Sequence, residues 1–338
     1  MKKVRFGVLG YGAIGRVHAD IIHKLPGAEL VAVSDSFAKA APHLQCDSYD
    51  SYQALLENAD VDAVSICLPS GLHKEATFAA AKLGKHVICE KPIDIDCIRG
   101  QEMVDICKEN NVKFGVIMQH RFDPPVALLR KAIADGKLGH VMWGSSKTIW
   151  YRDDAYYAGP GRGTWIKEGG GALLGQSIHY IDLLLCILGD AKSVSAKCRK
   201  VRHHGIEVED LGVANIEFSN GKIGTIEGTT ASYPGLYAEL SIYGDQGCVI
   251  IRNDELLFYN FAGGEDPEFE ALLNPEKANR LNTSPAVDPA SHTKQYEDFV
   301  DAIQTNREPM VTGEDTLKGV QVVKAIYRAS DEKREVYL

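Results

Sequence analysis

The sequence has 338 residues, of which 45% are apolar and 25% charged, so it is long enough for two globular domains with sizeable cores. Its formal net charge of -9 argues against a nucleic-acid partner, because neutralising phosphates requires clustered Lys and Arg. No apolar run approaches the roughly 18 residues of a membrane helix, and the N-terminus does not resemble a signal peptide. The eight cysteines form no Cys-x-x-Cys pair and show no metal-ligand spacing, which predicts reduced thiols, no metal site and a cytoplasmic protein.

The N-terminal part of the chain alternates between short apolar strands and helices. Strands are predicted at 4–9, 29–33, 63–68, 86–89 and 113–118, with helices at 13–24, 72–83 and 95–109. This alternation indicates βαβ units, and near-continuous apolar strands indicate a parallel sheet with helices on both faces. We therefore predict an α/β domain over residues 1–121.

The pattern changes after Asp123-Pro124-Pro125. Strands are predicted at 140–150, 191–202, 212–218, 222–230, 238–243, 248–252 and 255–259, and helices at 171–188, 292–305 and 316–332, with a long loop at 261–290. The sequence therefore predicts an α+β domain over residues 122–338 with a large, mostly antiparallel open sheet. One face of such a sheet needs cover, which predicts a homodimer or homotetramer formed through it.

The first predicted strand is followed by Gly10-Tyr11-Gly12-Ala13-Ile14-Gly15, which matches G-x-G-x-x-G and opens a helix. In this context the motif indicates a Rossmann domain, in which Gly10, Gly12, Ala13, Ile14 and Gly15 bring backbone N–H groups to a dinucleotide pyrophosphate. Asp35 ends the second strand and would accept hydrogen bonds from the adenosine ribose. Ser36 and Phe37 follow it in place of Arg, so NAD is favoured over NADP. The alternative is that Asp35 only caps the next helix.

Three other segments end strands at the carboxyl edge of the predicted sheet, where ligands of such folds bind. Leu68, Ser70 and His73 are predicted to contact the cofactor, although Ser70 is equally suited to cap the next helix. Gln119 or Arg121 is predicted to reach the nicotinamide or the substrate. Glu90-Lys91-Pro92 follows the strand predicted at 86–89, at an edge where hydride chemistry needs a proton acceptor. By itself, Lys91 would be interpreted as a solvated charge.

These motifs are followed by Gly169-Gly170-Gly171 and by a helix that carries His179 and then Ile181-Asp182-Leu183-Leu184. With the motifs in this order, the whole chain resembles the family of glucose–fructose oxidoreductase and inositol dehydrogenase. The resemblance implies that Lys91 and His179 are catalytic and face the substrate carbon that exchanges hydride, and that the Lys91-Pro92 bond is often cis. Lys91 would also contact the cofactor beside its nicotinamide ring, and Glu90 would orient Lys91 or pack against the cofactor. Without this context His179 would be an ordinary helix histidine.

One position departs from the family pattern. Relatives usually carry Asp or Asn four residues before the histidine, on the same helical face, whereas this chain has Gly175. A polar substrate contact, or an orienting partner for His179, is therefore missing from this helix. Gln176 is adjacent but points about 100° away on a regular helix.

An aromatic, basic and Gly-rich segment precedes the glycines. With Arg162-Gly163-Thr164-Trp165 just before the glycines, it resembles the branch of the family that acts on nucleotide-linked sugars. Aromatic rings can stack on sugar rings, and Arg can pair with carboxylates or phosphates. The residues predicted to bind substrate are Lys91, Arg121, Tyr151, Arg162, Trp165, Gln176 and His179. The alternative is that the aromatic rings cover the sheet or an oligomer contact.

Together these features predict an NAD(H)-dependent dehydrogenase of a sugar, sugar acid, nucleotide-linked sugar or inositol. Two alternatives remain open at this point. One is a catalytically silent NAD-binding sensor of the same fold, which Gly175 would favour. The other is an NAD-dependent glycosidase or oxidoreductase that keeps its cofactor tightly bound.

Overall fold

The structure is a computed structural model that describes residues 2–159, 161–281 and 289–338. Its contacts divide the chain into two compact units, Met1–Gln119 with Val287–Leu317, and His120–Ala286 with Lys318–Leu338.

The strands, in chain order, are β1 Val4–Leu9, β2 Ala28–Ser34, β3 Asp47–Tyr49, β4 Ala63–Ile66, β5 His86–Cys89, β6 Phe114–Val116, β7 Val141–Ile149, β8 Ala191–Arg199, β9 Leu211–Phe218, β10 Ile223–Thr229, β11 Tyr237–Gly244, β12 Gly247–Arg252, β13 Glu255–Phe261 and β14 Val336–Tyr337. The α-helices are α1 Ala13–Lys24, α2 Tyr52–Asn58, α3 His73–Lys82, α4 Cys97–Glu109, α5 Pro124–Ala134, α6 Asp154–Tyr157, α7 Trp165–Glu168, α8 Ile178–Leu188, α9 Pro267–Leu272, α10 Pro275–Ala278, α11 Pro289–Thr305 and α12 Gly313–Glu332. Short 3-10 turns lie at Pro42–Leu44, Ser70–Leu72 and Gln119–Phe122, and a π-helical turn at Ala172–Ser177.

The first unit is built on a six-stranded sheet in the order β3-β2-β1-β4-β5-β6, and every pair is parallel. This confirms the α/β prediction. Strands β1 and β4 are neighbours, so the order reverses between them. In sheets of this kind, ligands bind outside the carboxyl ends of the strands at that reversal. The glycine-rich turn after β1 and the exits of β4, β5 and β6 all lie at this edge.

The domain boundary differs from the sequence prediction, which gave residues 122–338 to the second domain. The segment Val287–Leu317 belongs instead to the first unit. The reason is that α11 buries Tyr296, Phe299 and Val300 in the core that also contains Phe6 of β1 and Ile22 of α1. Burial of these side chains makes α11 an additional covering helix of the parallel sheet.

The second unit is built on an eight-stranded sheet in the order β13-β12-β11-β7-β10-β9-β8-β14. All pairs are antiparallel except β7 with β10, so the prediction of a mostly antiparallel sheet is confirmed. Helix α8 packs on one face of this sheet, against β7, β10 and β11. Large apolar side chains, among them Trp143, Ile223 and Phe258, are exposed on the other face.

Three details of this unit were not predicted correctly. The segment expected to be a long loop at 261–290 contains α9 and α10, and its residues 282–288 lie outside the described residues. The helix predicted at 171–188 begins as the π-helical turn and becomes an α-helix only at Ile178. The segment Trp165–Leu188 is also long and apolar enough to cross a membrane, but 72% of its apolar window is buried, so it is a core segment of this unit.

Candidate active site

In the glycine-rich turn after β1, neighbouring atoms leave no room for a side chain at Gly10 or Gly15, whereas Gly12 borders open space. Gly10 has φ +94°, and a Cβ there would lie 2.7 Å from the Cys67 carbonyl oxygen, while a Cβ on Gly15 would lie 1.9 Å from the Gly10 carbonyl oxygen. Packing therefore requires both glycines. A Cβ on Gly12, in contrast, would meet no atom within 4 Å, and no side chain caps α1 there. The N–H groups of Ala13 and Ile14 in the first turn thus border open space suited to a dinucleotide phosphate.

The carboxylate of Asp35 is held against this turn. Its Oδ2 accepts the Tyr11 N–H at 3.0 Å, and its Oδ1 accepts the N–H groups of Phe37 and Ala38 at 2.8 and 3.1 Å. Although partial burial opposes the effect, these backbone bonds lower the pKa of Asp35. Asp35 therefore caps the turn after β2, and not a helix, because the next helical turn begins only at Pro42. A carboxylate has about four acceptor positions, so one remains for a ribose hydroxyl.

His73, which follows the exit of β4, has surroundings that differ from the cofactor contact predicted for it. His73 is buried, and its Nε2 lies 2.9 Å from the Leu68 carbonyl oxygen while its Nδ1 lies 3.0 Å from that of Pro92. His73 thus connects the β4 exit to the segment carrying Lys91, and its ring is used inside the protein instead of facing a cofactor. Ser70 begins the short 3-10 turn and does not cap α3, because the N-cap position is Leu72.

Lys91 follows the buried end of β5, and its peptide bond to Pro92 is cis, as the resemblance implied. Its backbone N–H donates to Glu90 Oε2 at 3.0 Å, while Glu90 Oε1 lies 3.0 Å from Nε2 of His18 on α1. One carboxylate therefore contacts both the backbone of the candidate catalytic lysine and a buried histidine. This geometry agrees with an orienting role for Glu90.

His18 is fully buried at the centre of a polar network. Its Nδ1 lies 2.9 Å from the Tyr296 hydroxyl, 3.0 Å from Ser65 Oγ and 3.1 Å from Cys67 Sγ. Burial opposes protonation, but Cys67 and Glu90 outweigh it and raise the pKa of His18 to about 10. Burial likewise opposes ionisation of Glu90, but His18 lowers the pKa of that carboxyl to about 2. The pair is therefore ionic at neutral pH.

Gln119 and Arg121, at the exit of β6, were predicted to have the same role, but their side chains have different surroundings. Gln119 has a buried Oε1 with no hydrogen-bond partner among the described residues, as expected of a group that awaits a ligand. Arg121 is different, because its guanidinium forms a bidentate pair with Asp182 of α8, at 2.7 and 2.6 Å, and both side chains are buried. The prediction that Arg121 binds substrate is therefore not supported, since this ion pair anchors α8.

The glycine run before α8 is explained by close packing. A Cβ on Gly170 would lie 2.3 Å from the Tyr327 hydroxyl, and one on Gly171 would lie 1.7 Å from the Glu209 carbonyl oxygen. The Glu209 carboxylate accepts the N–H groups of Gly171 and Leu173, both at 2.9 Å. Glu209 therefore fixes the start of the helical segment that carries His179.

Glu209 is buried, and burial raises its pKa to about 7 even though the backbone donors oppose this. The same carboxylate accepts the Tyr327 hydroxyl at 3.0 Å. The segment that carries His179 thus starts at a carboxyl group whose charge changes near neutral pH.

Gly175 and Gln176 lie in the π-helical turn that precedes His179. The angles of a regular α-helix, which were used to place these two residues relative to His179, therefore do not hold there. A Cβ on Gly175 would meet no atom within 4 Å, so no neighbour requires glycine there. The ring of His179 contacts the ring of His120, with centroids 5.1 Å apart and planes at 86°. A polar neighbour for His179 is therefore present, and it comes from another element.

The predicted substrate residues in the segment before α8 form an Arg–aromatic cluster. Gln176 Oε1 accepts from Arg152 Nη2 at 2.8 Å, and its Nε2 donates to the Tyr156 hydroxyl at 3.0 Å. Arg162 lies over the Tyr156 ring at 4.6 Å and pairs with Glu168 at 3.1 Å. The cluster is a polar, aromatic surface on the second unit.

The other two predicted substrate residues have separate surroundings. Tyr151 packs edge-on against Tyr233, with ring centroids 5.3 Å apart. Trp165 packs edge-on against Tyr327, with centroids 5.2 Å apart, and its side chain is 43% exposed. Both therefore have partners inside the second unit, and their roles toward substrate remain predictions.

Several residues near Lys91 in the first unit, or near His179 in the second, were given no role from the sequence. They are His18, His120, Asp123, Asp182, Glu209 and Asp254. Two groups, His18 with Glu90 and His292, and His120 with Asp123 and Asp254, are compact enough to ligate a metal. In each group, however, the histidine is already ion-paired with a carboxylate.

Comparison with known proteins agrees with this geometry. Residues 4–118 match the profile described as an oxidoreductase family with an NAD-binding Rossmann fold, and residues 130–338 match the C-terminal alpha/beta domain of the same family. Inositol 2-dehydrogenase of Rhizobium meliloti is 30% identical over 98% of both chains. Myo-inositol 2-dehydrogenase of Thermotoga maritima is 26% identical over 99% of this chain and 98% of its own.

Solved structures give the same result. The WlbA dehydrogenase of Bordetella pertussis, in complex with NADH and UDP-GlcNAcA, has a TM-score of 0.88 and 29% identity, covering 100% of this chain and 98% of its own. Levoglucosan dehydrogenase in complex with NADH has a TM-score of 0.86 at 22% identity over 99% of each chain, which supports the fold. The chain therefore belongs to the oxidoreductase family of glucose–fructose oxidoreductase and inositol dehydrogenase, and residues 4–118 are that family's NAD-binding domain.

Proposed function

We propose that this protein is an NAD(H)-dependent dehydrogenase that transfers hydride between the nicotinamide and a secondary hydroxyl or keto carbon of a sugar, sugar acid, nucleotide-linked sugar or inositol. The observation that carries the proposal is the position of Lys91. It leaves β5 at the carboxyl edge of the parallel sheet, in the same unit as the open glycine-rich turn, and a buried Glu90–His18 pair supports its backbone.

The chain's own residues supply binding and proton transfer, and bound NAD supplies the hydride acceptor. Gly12, with open space around it, admits the pyrophosphate to the N-terminus of α1. Asp35 offers its remaining acceptor position to the ribose, and its negative charge disfavours a 2′-phosphate, which supports NAD over NADP. Lys91 or His179, the two competing proton acceptors, takes the proton of the substrate hydroxyl or returns it to the keto oxygen.

The substrate class is inferred from the relatives and from the Arg–aromatic cluster. Relatives of this chain are named inositol dehydrogenases, and one similar structure contains UDP-GlcNAcA. In this chain Arg152 lies over the rings of Trp150 and Tyr156, at 5.3 and 5.1 Å, and holds Gln176. Aromatic faces suit a sugar ring, and a guanidinium suits a carboxylate or phosphate.

The first test is Lys91→Ala. Loss of a group that handles the substrate proton should lower kcat by about 100-fold or more, because positioned acid–base groups contribute factors of this size. NAD binding, measured by calorimetry, should stay unchanged. Lys39→Ala is the matched control, since Lys39 is an exposed lysine of the same unit. Wild-type turnover in Lys91→Ala would refute the proposed role.

The second test is a screen of NAD reduction against inositols, aldoses, sugar acids and UDP-sugars. We expect turnover with one of these classes and little with NADP. Measurable NAD binding without turnover on any of them would favour the silent sensor, which no comparison supports. Cofactor retained through purification without net NADH release would favour the enzyme with a tightly bound cofactor.

We further propose that the protein associates through the open face of the eight-stranded sheet. Trp143 and Tyr243 stack there with ring centroids 4.3 Å apart, and Val213, Ile223 and Phe258 are exposed on the same face. An apolar surface of this kind favours a homodimer or homotetramer. Sedimentation should show Trp143→Glu to be a smaller species than the wild type, and a monomeric wild type at micromolar concentration would contradict the proposal.

A cytoplasmic location is also proposed. All eight cysteines are free thiols, and several, including Cys67, Cys89 and Cys107, are buried. Free thiols are typical of a reducing compartment. Cell fractionation tests this proposal, and recovery of the protein outside the cytoplasm would contradict it.

A further inference from the structure

His120 lies beside the candidate catalytic histidine although no sequence motif pointed to it. It belongs to the 3-10 turn Gln119–Phe122, and its ring meets that of His179 edge to face at 5.1 Å. The Tyr180 ring lies 5.9 Å away at 50°, so two consecutive residues of α8 enclose the His120 ring. The side chain of His120 is 20% exposed.

Two carboxylates fix this ring. Nδ1 of His120 lies 2.7 Å from Asp123 Oδ2 and 3.1 Å from Asp254 Oδ1. The Tyr180 hydroxyl donates to the same Asp254 oxygen at 2.9 Å, and the Asp254 N–H donates back to that hydroxyl oxygen at 3.2 Å. The ring is thus held by Asp123 of its own segment and by two segments distant in sequence, which carry Tyr180 and Asp254.

The turn that carries Asp254 is itself well fixed. It joins β12 to β13, with Asn253 and Asp254 at φ +50° and +66°. The Asn253 side chain accepts the Ala238 N–H at 3.1 Å and donates to the Ala278 carbonyl oxygen at 3.0 Å. Asp254 therefore reaches His120 from a rigid hairpin.

Within this cluster the His120 ring carries the positive charge, and it is the member that contacts the His179 ring. Burial opposes protonation, but Asp254 and Asp123 outweigh it and raise the pKa of His120 to about 10. The groups that act on this cluster from the elements around it are Asp123, His179, Tyr180, Asp254 and, through Asp254, Lys277. A cation at this separation disfavours a second proton on a neighbouring imidazole.

We propose that His120, held by Asp123 and Asp254, is a positioning residue for His179. It fixes the orientation of the His179 ring from another element, and the π-helical turn before α8 has Gly175 at the position where relatives carry Asp or Asn. It also favours the neutral form of His179, which is able to accept the proton of a substrate hydroxyl. This inference rests on the proposed function, because it assigns His179 a proton-accepting role.

The first experiment needs no substrate. Histidine ring resonances of the whole protein are followed by NMR between pH 5.5 and 9, and His120→Gln and His179→Gln assign them. The resonance of His120 should show no titration midpoint below pH 9, and the midpoint of His179 should rise in His120→Gln. A His120 midpoint near that of a free imidazole, or an unchanged His179 midpoint in the variant, would overturn the inference.

The second experiment uses the substrate identified in the NAD-reduction screen. In His120→Gln, kcat should fall by about 10- to 100-fold, because a misplaced catalytic group costs factors of this size, while the Kd for NAD stays unchanged. The acid limb of kcat/KM should move to higher pH. His120→Lys retains the charge without the ring, so it should restore the acid limb but not kcat.

Asp254→Asn provides a second variant that keeps the shape of the hairpin, and it should lower kcat by a smaller factor. His43→Gln is the matched control, because His43 pairs with Asp20 at 2.9 Å on the first unit. Wild-type kcat and pH profile in both His120→Gln and Asp254→Asn would overturn the inference. The proposed function would still stand in that case if Lys91→Ala is inactive, so the two failures are distinguishable.

Discussion

The two candidate catalytic side chains are supported in different ways. Lys91 follows a buried strand, and its backbone is held by Glu90, which pairs with a fully buried His18. His179 follows a π-helical turn, and its ring contacts His120, which is 20% exposed and paired with two carboxylates. A histidine–carboxylate pair therefore supports each residue, but one pair lies in a dry core and the other borders solvent.

This difference in burial determines whether each pair contributes mainly to the stability of the protein or to the geometry of the catalytic side chain. Removing one partner of a fully buried ion pair leaves an uncompensated charge in the core, so the first pair should contribute mainly to folding. In the second cluster His120 and Asp254 border solvent, so water can partly replace a lost partner and the contribution to stability should be smaller. The second pair should therefore matter more for the geometry of His179 than for the free energy of unfolding.

The largest effect is expected for Glu90→Ala. It leaves His18 buried without its carboxylate, and removal of one partner from a buried pair destabilises a protein by about 3–5 kcal/mol. Urea denaturation measures the free energy of unfolding. Replacing both partners, as in His18→Leu with Glu90→Leu, should cost less than Glu90→Ala alone, since no charge remains.

Two controls sharpen this result. Glu57→Ala removes an exposed glutamate of the same unit and should change the free energy of unfolding by less than about 0.5 kcal/mol. Asp254→Ala, in the second cluster, should cost less than Glu90→Ala, since its side chain is 35% exposed and Asp123 still pairs with His120. Equal losses for Glu90→Ala and Asp254→Ala would remove the distinction between the two clusters.

Gly171→Ala should have the next largest effect. The new Cβ would lie 1.7 Å from the Glu209 carbonyl oxygen, and backbone must move to relieve this clash. Overpacking of this kind costs about 3 kcal/mol. Gly205→Ala is the control, because a Cβ there meets no atom within 4 Å. A Gly171→Ala protein as stable as Gly205→Ala would show that the glycine run does not fix the start of the His179 segment.

Local patterns predicted most of the fold. Strands β9 and β13 were expected at 212–218 and 255–259 and lie at Leu211–Phe218 and Glu255–Phe261, because apolar runs between turn signals are a local property. Strand β3 has only three residues and no apolar alternation, so it gave no signal. The apolar face of α11 predicted burial, but not which sheet it would cover.

Residues of the candidate site were predicted from the sequence only where they belong to a recognisable motif. Gly12, Asp35, Lys91 and His179 belong to motifs, and their roles at the site stay predictions. His18 lies with Gly15, Ala19 and Ile22 on the buried face of α1, so its spacing could have indicated an interior histidine. The pairing of Asp254 with His120 joins residues far apart in sequence through a hairpin turn, and no local pattern encodes such a contact.

The third prediction concerns pH. The pKa of His18 is raised to about 10, so its contribution to stability is complete below its unfolded value of 6.5 and is lost as pH rises through about 10. The difference in unfolding free energy between the wild type and His18→Gln should therefore shrink by up to about 1.4 kcal/mol per pH unit over this range. Glu90 adds an acid limit, because its contribution is lost as pH falls from 4.5 through about 2. A difference that stays constant from pH 6 to 10 would contradict a buried ion pair.

The smallest effect is expected for Gly175→Ala, which tests whether His179 depends on its own helix or on the His120 cluster. The new methyl group meets no atom within 4 Å, and Ala favours helical backbone over Gly by about 0.5–1 kcal/mol, so the protein should become slightly more stable. If His120 positions His179, kcat should not change. Gly175→Asn in the His120→Gln background should then recover part of the lost kcat, because it supplies a polar neighbour from α8's own segment. No recovery, together with a loss of activity in Gly175→Ala, would show that the open space at position 175 is itself required, as expected if a substrate group fills it.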